Sequence, residues 1–179
     1  MTTSLKGKRV ALLVTDGFEQ VEMTGPKKAL EAAGASTEIV SAENGKVTGW
    51  HHTTPADAFK VDKTFDSARI EDYDAIVLPG GVVNSDTIRL DEMAVELVKD
   101  AARANKPIAV ICHGAWILAT ADLLKGKTIT SWPSLTDDLK NAGANWVDKE
   151  VVVDGQLISS RNPDDIPAFN AKLIEALAA

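Results

Sequence analysis

A single cysteine, the histidine beside it and a glutamate on an apolar helix face are the residues of this chain most suited to chemistry. Cys112 directly follows the apolar run Ala109-Val110-Ile111 and precedes His113-Gly114. A strand that runs into a sharp turn and then a helix has the layout of a nucleophile elbow, which holds a reactive side chain up at the end of a sheet. Gly114 supplies the room that such a turn needs. At a helix N-terminus the thiolate would be favoured by free amides and the helix dipole, whereas an ordinary cysteine is mostly protonated at neutral pH. The competing reading is that a free cysteine packs as a small hydrophobe. His113 is then either a general base or orienter, or a turn histidine at the surface, because sequence neighbours diverge unless the turn is strained.

Glu22 lies on the same helical stripe as Pro26, Ala29, Leu30 and Ala33, so its carboxyl group is expected to face the interior. Burial favours the neutral acid, which can donate a hydrogen bond to a thiolate or shuttle a proton. The alternatives are that Glu22 caps a local amide or is turned outward at Gly25-Pro26. Glu19, near the same stripe, would serve the first helical turn. Gly80 and Gly81 follow another apolar run and allow backbone amides to approach a substrate oxygen, as an oxyanion hole requires, although Gly-Gly after a strand is otherwise only a turn. Trp116 and Trp132 follow strand ends that would line a pocket, against the commoner role of tryptophan in cores and interfaces. His51 and His52 are adjacent and there is no second cysteine, so loop or edge-strand positions are expected and no metal site. The turn holding Asp16, Glu19 and Glu22 offers carboxylates where a phosphate loop needs glycines, which argues against a nucleotide or flavin cofactor.

The elements that would position these residues alternate. Val10–Val14, Ser36–Val40, Ala75–Leu78, Ile108–Ile111 and Thr128–Ser131 read as strands, nearly all continuously apolar, as in a parallel sheet covered on both faces. Asp91 caps a helix carrying Ala94, Leu97, Val98 and Ala101, and Trp116–Leu124 reads as a second helix closed by Gly126. The Asp154-Gly155 pair between Val151–Val153 and Gln156–Ile158 predicts a hairpin, followed by an amphipathic helix with Ile166, Phe169, Leu173, Ile174 and Leu177. In such sheets ligands bind beyond the carboxyl ends of the strands, where the candidate residues lie.

The 179 residues are 45% apolar and 25% charged, values of an ordinary globular chain, and no repeat or linker divides them. Net charge is -7, which repels a phosphate backbone and argues against nucleic-acid or acidic-membrane partners. One cysteine permits no intrachain disulfide, and the first residues carry no signal-like or membrane-length apolar run. A cytoplasmic protein is expected.

In combination and order, DGFEQVEMTGPKKALEAAGA, VLPGG, AVICHGAWIL, KNAGANWVDKEVVVDG and SSRNPDDIPAFN resemble PfpI-type members of the parkinsonism-associated deglycase superfamily, close to its bacterial general stress proteins. The resemblance spans nearly the whole chain. It implies one α/β domain over residues 1–179: a flavodoxin-like, doubly wound, mostly parallel sheet sandwiched by helices, of the class I glutamine-amidotransferase type, with a C-terminal β-hairpin. It implies a nucleophile at Cys112 and a protonated acid at Glu22, with Gly80, Gly81 and Trp116 expected around the substrate. In PfpI relatives the histidine after the cysteine pairs with a carboxylate of an adjacent subunit; the matching position is Asp86, in a loop one residue longer than in some members, and a homodimer or higher homo-oligomer is implied with it. The implied activity is a cofactor-independent deglycase or glyoxalase acting on methylglyoxal, glyoxal and their early adducts with Cys, Lys and Arg. The alternatives are a cysteine peptidase using Cys112, His113 and Asp86, or a redox-sensing chaperone. A glutamine amidotransferase needs a histidine well downstream of its cysteine, and the histidines here are His51, His52 and His113.

Overall fold

The computed structural model describes residues 4–179. In chain order the elements are β1 (Arg9–Leu13), β2 (Phe18–Glu19), α1 (Gln20–Ala32), β3 (Ser36–Ser41), β4 (Lys46–His51), β5 (Thr54–Lys60), β6 (Lys63–Thr64), β7 (Ala75–Leu78), α2 (Val82–Ile88) and α3 (Glu92–Arg103). They continue as β8 (Ile108–Ile111), α4 (Trp116–Thr120), β9 (Thr128–Ile129), α5 (Thr136–Asn141), β10 (Asn145–Trp146), β11 (Val152–Asp154), β12 (Leu157–Ser160) and α6 (Ile166–Ala178). Seven strands form the central sheet in the order β11-β12-β8-β7-β1-β3-β6, and only the β11–β12 pair is antiparallel. This is the expected doubly wound α/β sandwich.

Strand alternation explains why both faces need cover. β1 sends Ala11 and Leu13 to one face, with Ala94, Val98 and Ala101 of α3, Leu118 of α4 and Leu139 of α5. Val10 and Leu12 point the other way, into a cluster with Met23 and Leu30 of α1 and Phe169 and Leu173 of α6. The cap at Asp91 forms as expected: its side chain accepts hydrogen bonds from the Met93 and Ala94 amides at 3.0 Å, satisfying donors that the first turn of α3 leaves free.

Two expectations are corrected. Thr128–Ser131 is not a strand of the central sheet. Only Thr128 and Ile129 are extended, and they pair with β10 in a separate ribbon. β12 takes the place beside β8, and β9 is tied to the hairpin by side chains: Thr128 N–H donates to Asp154 Oδ2 at 2.7 Å and Thr130 N–H to Ser159 Oγ at 3.1 Å. The helix expected over Trp116–Leu124 ends at Thr120, because Asp122 adopts a left-handed conformation with φ 57°.

The fold delivers three chain reversals to one end of the sheet: the β1–α1 turn, the Gly80-Gly81 turn after β7 and the elbow after β8. Asn84 ties the first two together. Its buried Oδ1 accepts from Thr15 N–H at 2.7 Å, while its Nδ2 donates to the carbonyls of Pro79 and Gly80 at 3.1 and 2.9 Å. The elbow rests on Gly114, where an added Cβ would lie 2.3 Å from the Leu78 carbonyl oxygen. Backbone cannot yield as a flexible side chain would, so Gly114→Ala is expected to lower stability by about 2–4 kcal/mol in urea unfolding. A change below about 0.5 kcal/mol contradicts this contact.

Candidate active site

Cys112 occupies the elbow with φ 61°, a left-handed conformation that a β-branched or bulky residue seldom tolerates. It opens a four-residue 3-10 turn, Cys112–Ala115, that leads into the five-residue α4. So short a helix offers little macrodipole, which corrects the expectation that the dipole holds the thiolate. Local amides take that role: the backbone N–H groups of His113 and Gly81 donate toward the sulfur. The left-handed turn also lets neighbouring side chains converge, placing His113 Nδ1 3.2 Å from Cys112 Sγ.

α1 runs uninterrupted through Gly25-Pro26, and Glu22 in its first turn is fully buried. Its Oε2 accepts the Gly80 N–H at 2.7 Å, while Oε1 has no hydrogen-bond partner within normal geometry among the described residues. The thiol shares this volume. A Cβ at Gly80 would lie 2.6 Å from Glu22 Oε2 and 2.8 Å from Cys112 Cβ, so glycine is required where the two groups meet. Burial pushes the Glu22 carboxyl up to about 8, against the Gly80 hydrogen bond that lowers it and with the charge of Glu19 that raises it further.

Burial also pushes the Cys112 thiol up, and an ionised Glu22 would push it further, while the His113 and Gly81 amides pull it down. The two titrations are coupled. With the proton on Glu22, the repulsion disappears and the acid can donate toward the sulfur, leaving the amides to favour the thiolate. Burial lowers the His113 pKa by favouring the neutral ring over the imidazolium.

A pocket of about 290 Å³ opens over the sulfur. Glu19, His52, Thr53, Val82, Trp132 and Pro163 help to line it around Glu22, Gly81, Cys112 and His113. Trp132 stacks on the His113 ring with centroids 5.8 Å apart, and its N–H donates to the Cys112 carbonyl at 3.2 Å, bracing the elbow. Residues 8–176 match the DJ-1/PfpI family. The chain belongs to the DJ-1/PfpI family.

Among its relatives, the deglycase PfpI of Pyrococcus furiosus is 41% identical over 94% of this chain and 99% of its own. General stress protein 18 of Bacillus subtilis is 40% identical over 96% and 98%. YraA of the same organism, named as a candidate cysteine protease, is 44% identical over 95% and 98%. Drosophila melanogaster DJ-1beta superposes with a TM-score of 0.86 at 29% identity, covering 96% of this chain and 90% of that one. Relatives named as deglycases bring enzymatic activity into this DJ-1/PfpI family, and the flavodoxin-like fold is common to its solved members.

Within this DJ-1/PfpI site, Cys112, His113, Glu22 and Gly81 converge. Three other expected residues stand differently. The Gly80 N–H is committed to Glu22, whereas the Gly81 and His113 amides are directed toward the sulfur. Trp116 does not line the pocket: its ring packs edge-on against His113, and its Nε1–H donates to Asp138 Oδ2 at 2.8 Å. Asp86 is exposed on α2, and no hydrogen bond or ion pair joins it to His113 within the described chain. Instead, His113 Nε2 lies 3.5 Å from Ser134 Oγ. The lining residues not singled out beforehand are Val82 at the start of α2, Thr53 of the β4–β5 turn and Pro163 before α6; His52, expected only in a loop or edge strand, also reaches the pocket. His52 carried a local signal, since histidine is among the residues enriched at positive φ, and its φ is 55°.

The raised Glu22 pKa has a consequence for stability. Between the ordinary carboxylate range and about 8, folded Glu22 keeps a proton that the unfolded chain has released, so unfolding free energy falls as pH rises through that window. Relative to Glu22→Gln, which keeps an oxygen for the Gly80 N–H, the parent is expected to lose on the order of a few kcal/mol between about pH 5 and about pH 9. Urea unfolding of both proteins measures it, and a pH-independent difference contradicts the buried neutral acid.

Proposed function

We propose that the protein is a cysteine-dependent deglycase or glyoxalase-type hydrolase acting on methylglyoxal, glyoxal and their early adducts with Cys, Lys and Arg side chains. The observation that carries this reading is the pairing of Cys112 with the buried Glu22 carboxyl at the floor of an accessible pocket. The thiol proton passes to His113 Nδ1 as the sulfur attacks the aldehyde carbon, forming a hemithioacetal. The Gly81 and His113 amides bind the developing alkoxide, which then takes back the proton held by His113. Glu22 gives its proton to the neighbouring ketone oxygen and, now a carboxylate, removes the hydrogen from the sulfur-bearing carbon, leaving an enediol. Return of that proton to the adjacent carbon, as the hydroxyl on the sulfur-bearing carbon passes its own proton to Glu22, gives a thioester of the hydroxy acid and restores the neutral acid. Water hydrolyses it to lactate and the free thiol, so the net reaction adds one water to methylglyoxal without an external oxidant or reductant. No helix of the described residues is long and apolar enough to cross a membrane, and we take the setting to be the cytoplasm.

The PfpI pattern further suggests that a homo-oligomer completes the site, with the exposed Asp86 of one copy approaching the far nitrogen of another copy's His113. A second reading, a cysteine peptidase, is favoured by the 3.2 Å Cys112–His113 contact and by the naming of YraA. Product analysis separates the two readings. Incubated with methylglyoxal, the parent is expected to form lactate. Cys112→Ala should lose at least about a thousandfold in rate and Glu22→Gln about a hundred- to a thousandfold. Unchanged turnover in either variant, or cleavage of a fluorogenic peptide by a parent that leaves methylglyoxal untouched, would overturn the proposal.

A further inference from the structure

The pocket above Cys112 is acidic and has no fixed cation in its walls. Its ionisable lining residues are Glu19, Glu22, His52, Cys112 and His113, with neither lysine nor arginine among them. Glu19 sits at the rim. Its N–H donates to the Gly80 carbonyl at 3.2 Å, and its Oε2 accepts the His52 N–H at 3.0 Å, so both backbone and carboxylate are held where the β4–β5 turn meets the Gly-Gly turn. An added Cβ on Gly81 would lie 2.6 Å from the Glu19 nitrogen, which shows how closely the two segments are pressed together. No Lys or Arg pairs with Glu19 among the described residues, although 12 ion pairs form elsewhere. Its charge reaches the floor of the pocket, where it bears on the proton of Glu22. A carboxylate held at the mouth of a partly apolar cleft acts through low-dielectric walls and is screened less than one on open surface.

We propose that Glu19 is a charge gate: it admits neutral and cationic electrophiles to Cys112, disfavours anionic ones, and expels the carboxylate product. The last part rests on the deglycase reading, in which a neutral dicarbonyl enters and a hydroxy-acid anion leaves. Selection among electrophiles depends only on an accessible sulfur. For the substrate class, the gate disfavours keto acids and other carbonyl compounds that carry a nearby carboxylate. It accepts methylglyoxal itself and adducts on cationic or neutral side chains.

The test needs no turnover. Cys112 is the only cysteine, so alkylation reports on one sulfur. Iodoacetamide and iodoacetate both react by forming a carbon–sulfur bond as iodide leaves and the thiol proton passes to solvent; they differ in carrying no charge or one negative charge. Rates are followed by mass spectrometry of the intact protein and compared with the uncharged reference thiol 2-mercaptoethanol. The parent is expected to favour iodoacetamide about tenfold more than the reference does, and Glu19→Gln, whose amide oxygen can still accept the His52 N–H, to bring that preference within about twofold of it. Repeating the comparison near 1 M salt screens the overall net charge of -7, and a difference between parent and variant that persists there supports the local gate. Equal preferences in parent and variant overturn the gate while leaving the catalytic reading intact, and so does a uniform slowing of both reagents in the variant. Failure of both reagents to alkylate the parent overturns the gate and the catalytic reading together.

Discussion

A carboxylic acid and a thiol share one buried volume at the end of β8, and both cannot carry charge there at once. Glu22 is fully buried and Cys112 nearly so; burial raises the cost of ionising each, and an ionised Glu22 raises it further for the sulfur. The low dielectric that makes two charges intolerable also makes one proton valuable, because a neutral acid beside a thiolate is a donor instead of a repelling charge. The site's reactivity follows from where that proton sits. A helix dipole has little part in it, since the elbow leads into a helix of only five residues.

Holding the two groups together requires backbone where side chains would ordinarily go. Gly80 lies between the acid and the sulfur, Gly114 lets the elbow pass the end of β7, and Gly81 lets the β1–α1 turn close against the turn that leaves β7. Each is a place where any Cβ would meet backbone or reacting groups. Cys112 itself adopts a left-handed conformation, and that strain is held by neighbours. Trp132 binds the Cys112 carbonyl through its N–H, and Asn84 fastens the two turns that carry Thr15 and Gly80. The scaffold thus spends its buried polar bonds on loop geometry around a single sulfur atom.

Much of this was legible in the residues alone. The continuous apolar runs marked the parallel strands because both faces of this sheet are covered, and the 3.6-residue stripe placed Glu22 inward because helix periodicity survives the Gly25-Pro26 step. Local patterns did not reveal convergence of distant segments. Trp132 and Trp116 are alike in sequence terms, yet the first walls the pocket and the second packs behind His113, a difference set by how the segment after β9 returns across the elbow. Thr53 and Pro163 reach the pocket from a hairpin and a turn with no chemistry of their own. Thr128–Ser131 misled because its first residues are strand-like. The Thr130 N–H donates to the Ser159 hydroxyl of the hairpin, and the Ser131 hydroxyl donates to the Trp132 carbonyl and accepts from Trp146 Nε1–H, instead of a strand ladder.

The location of the proton can be observed directly by infrared spectroscopy of the intact protein, using the carbonyl stretch that a neutral carboxylic acid shows and a carboxylate lacks. Subtracting the Glu22→Gln spectrum isolates this one group. At neutral pH the parent is expected to show the acid band, which should fade only as pH rises through about 8 and shift when the sulfur is alkylated. A carboxylate signature for Glu22 at neutral pH, insensitive to alkylation of Cys112, would contradict the shared-proton account.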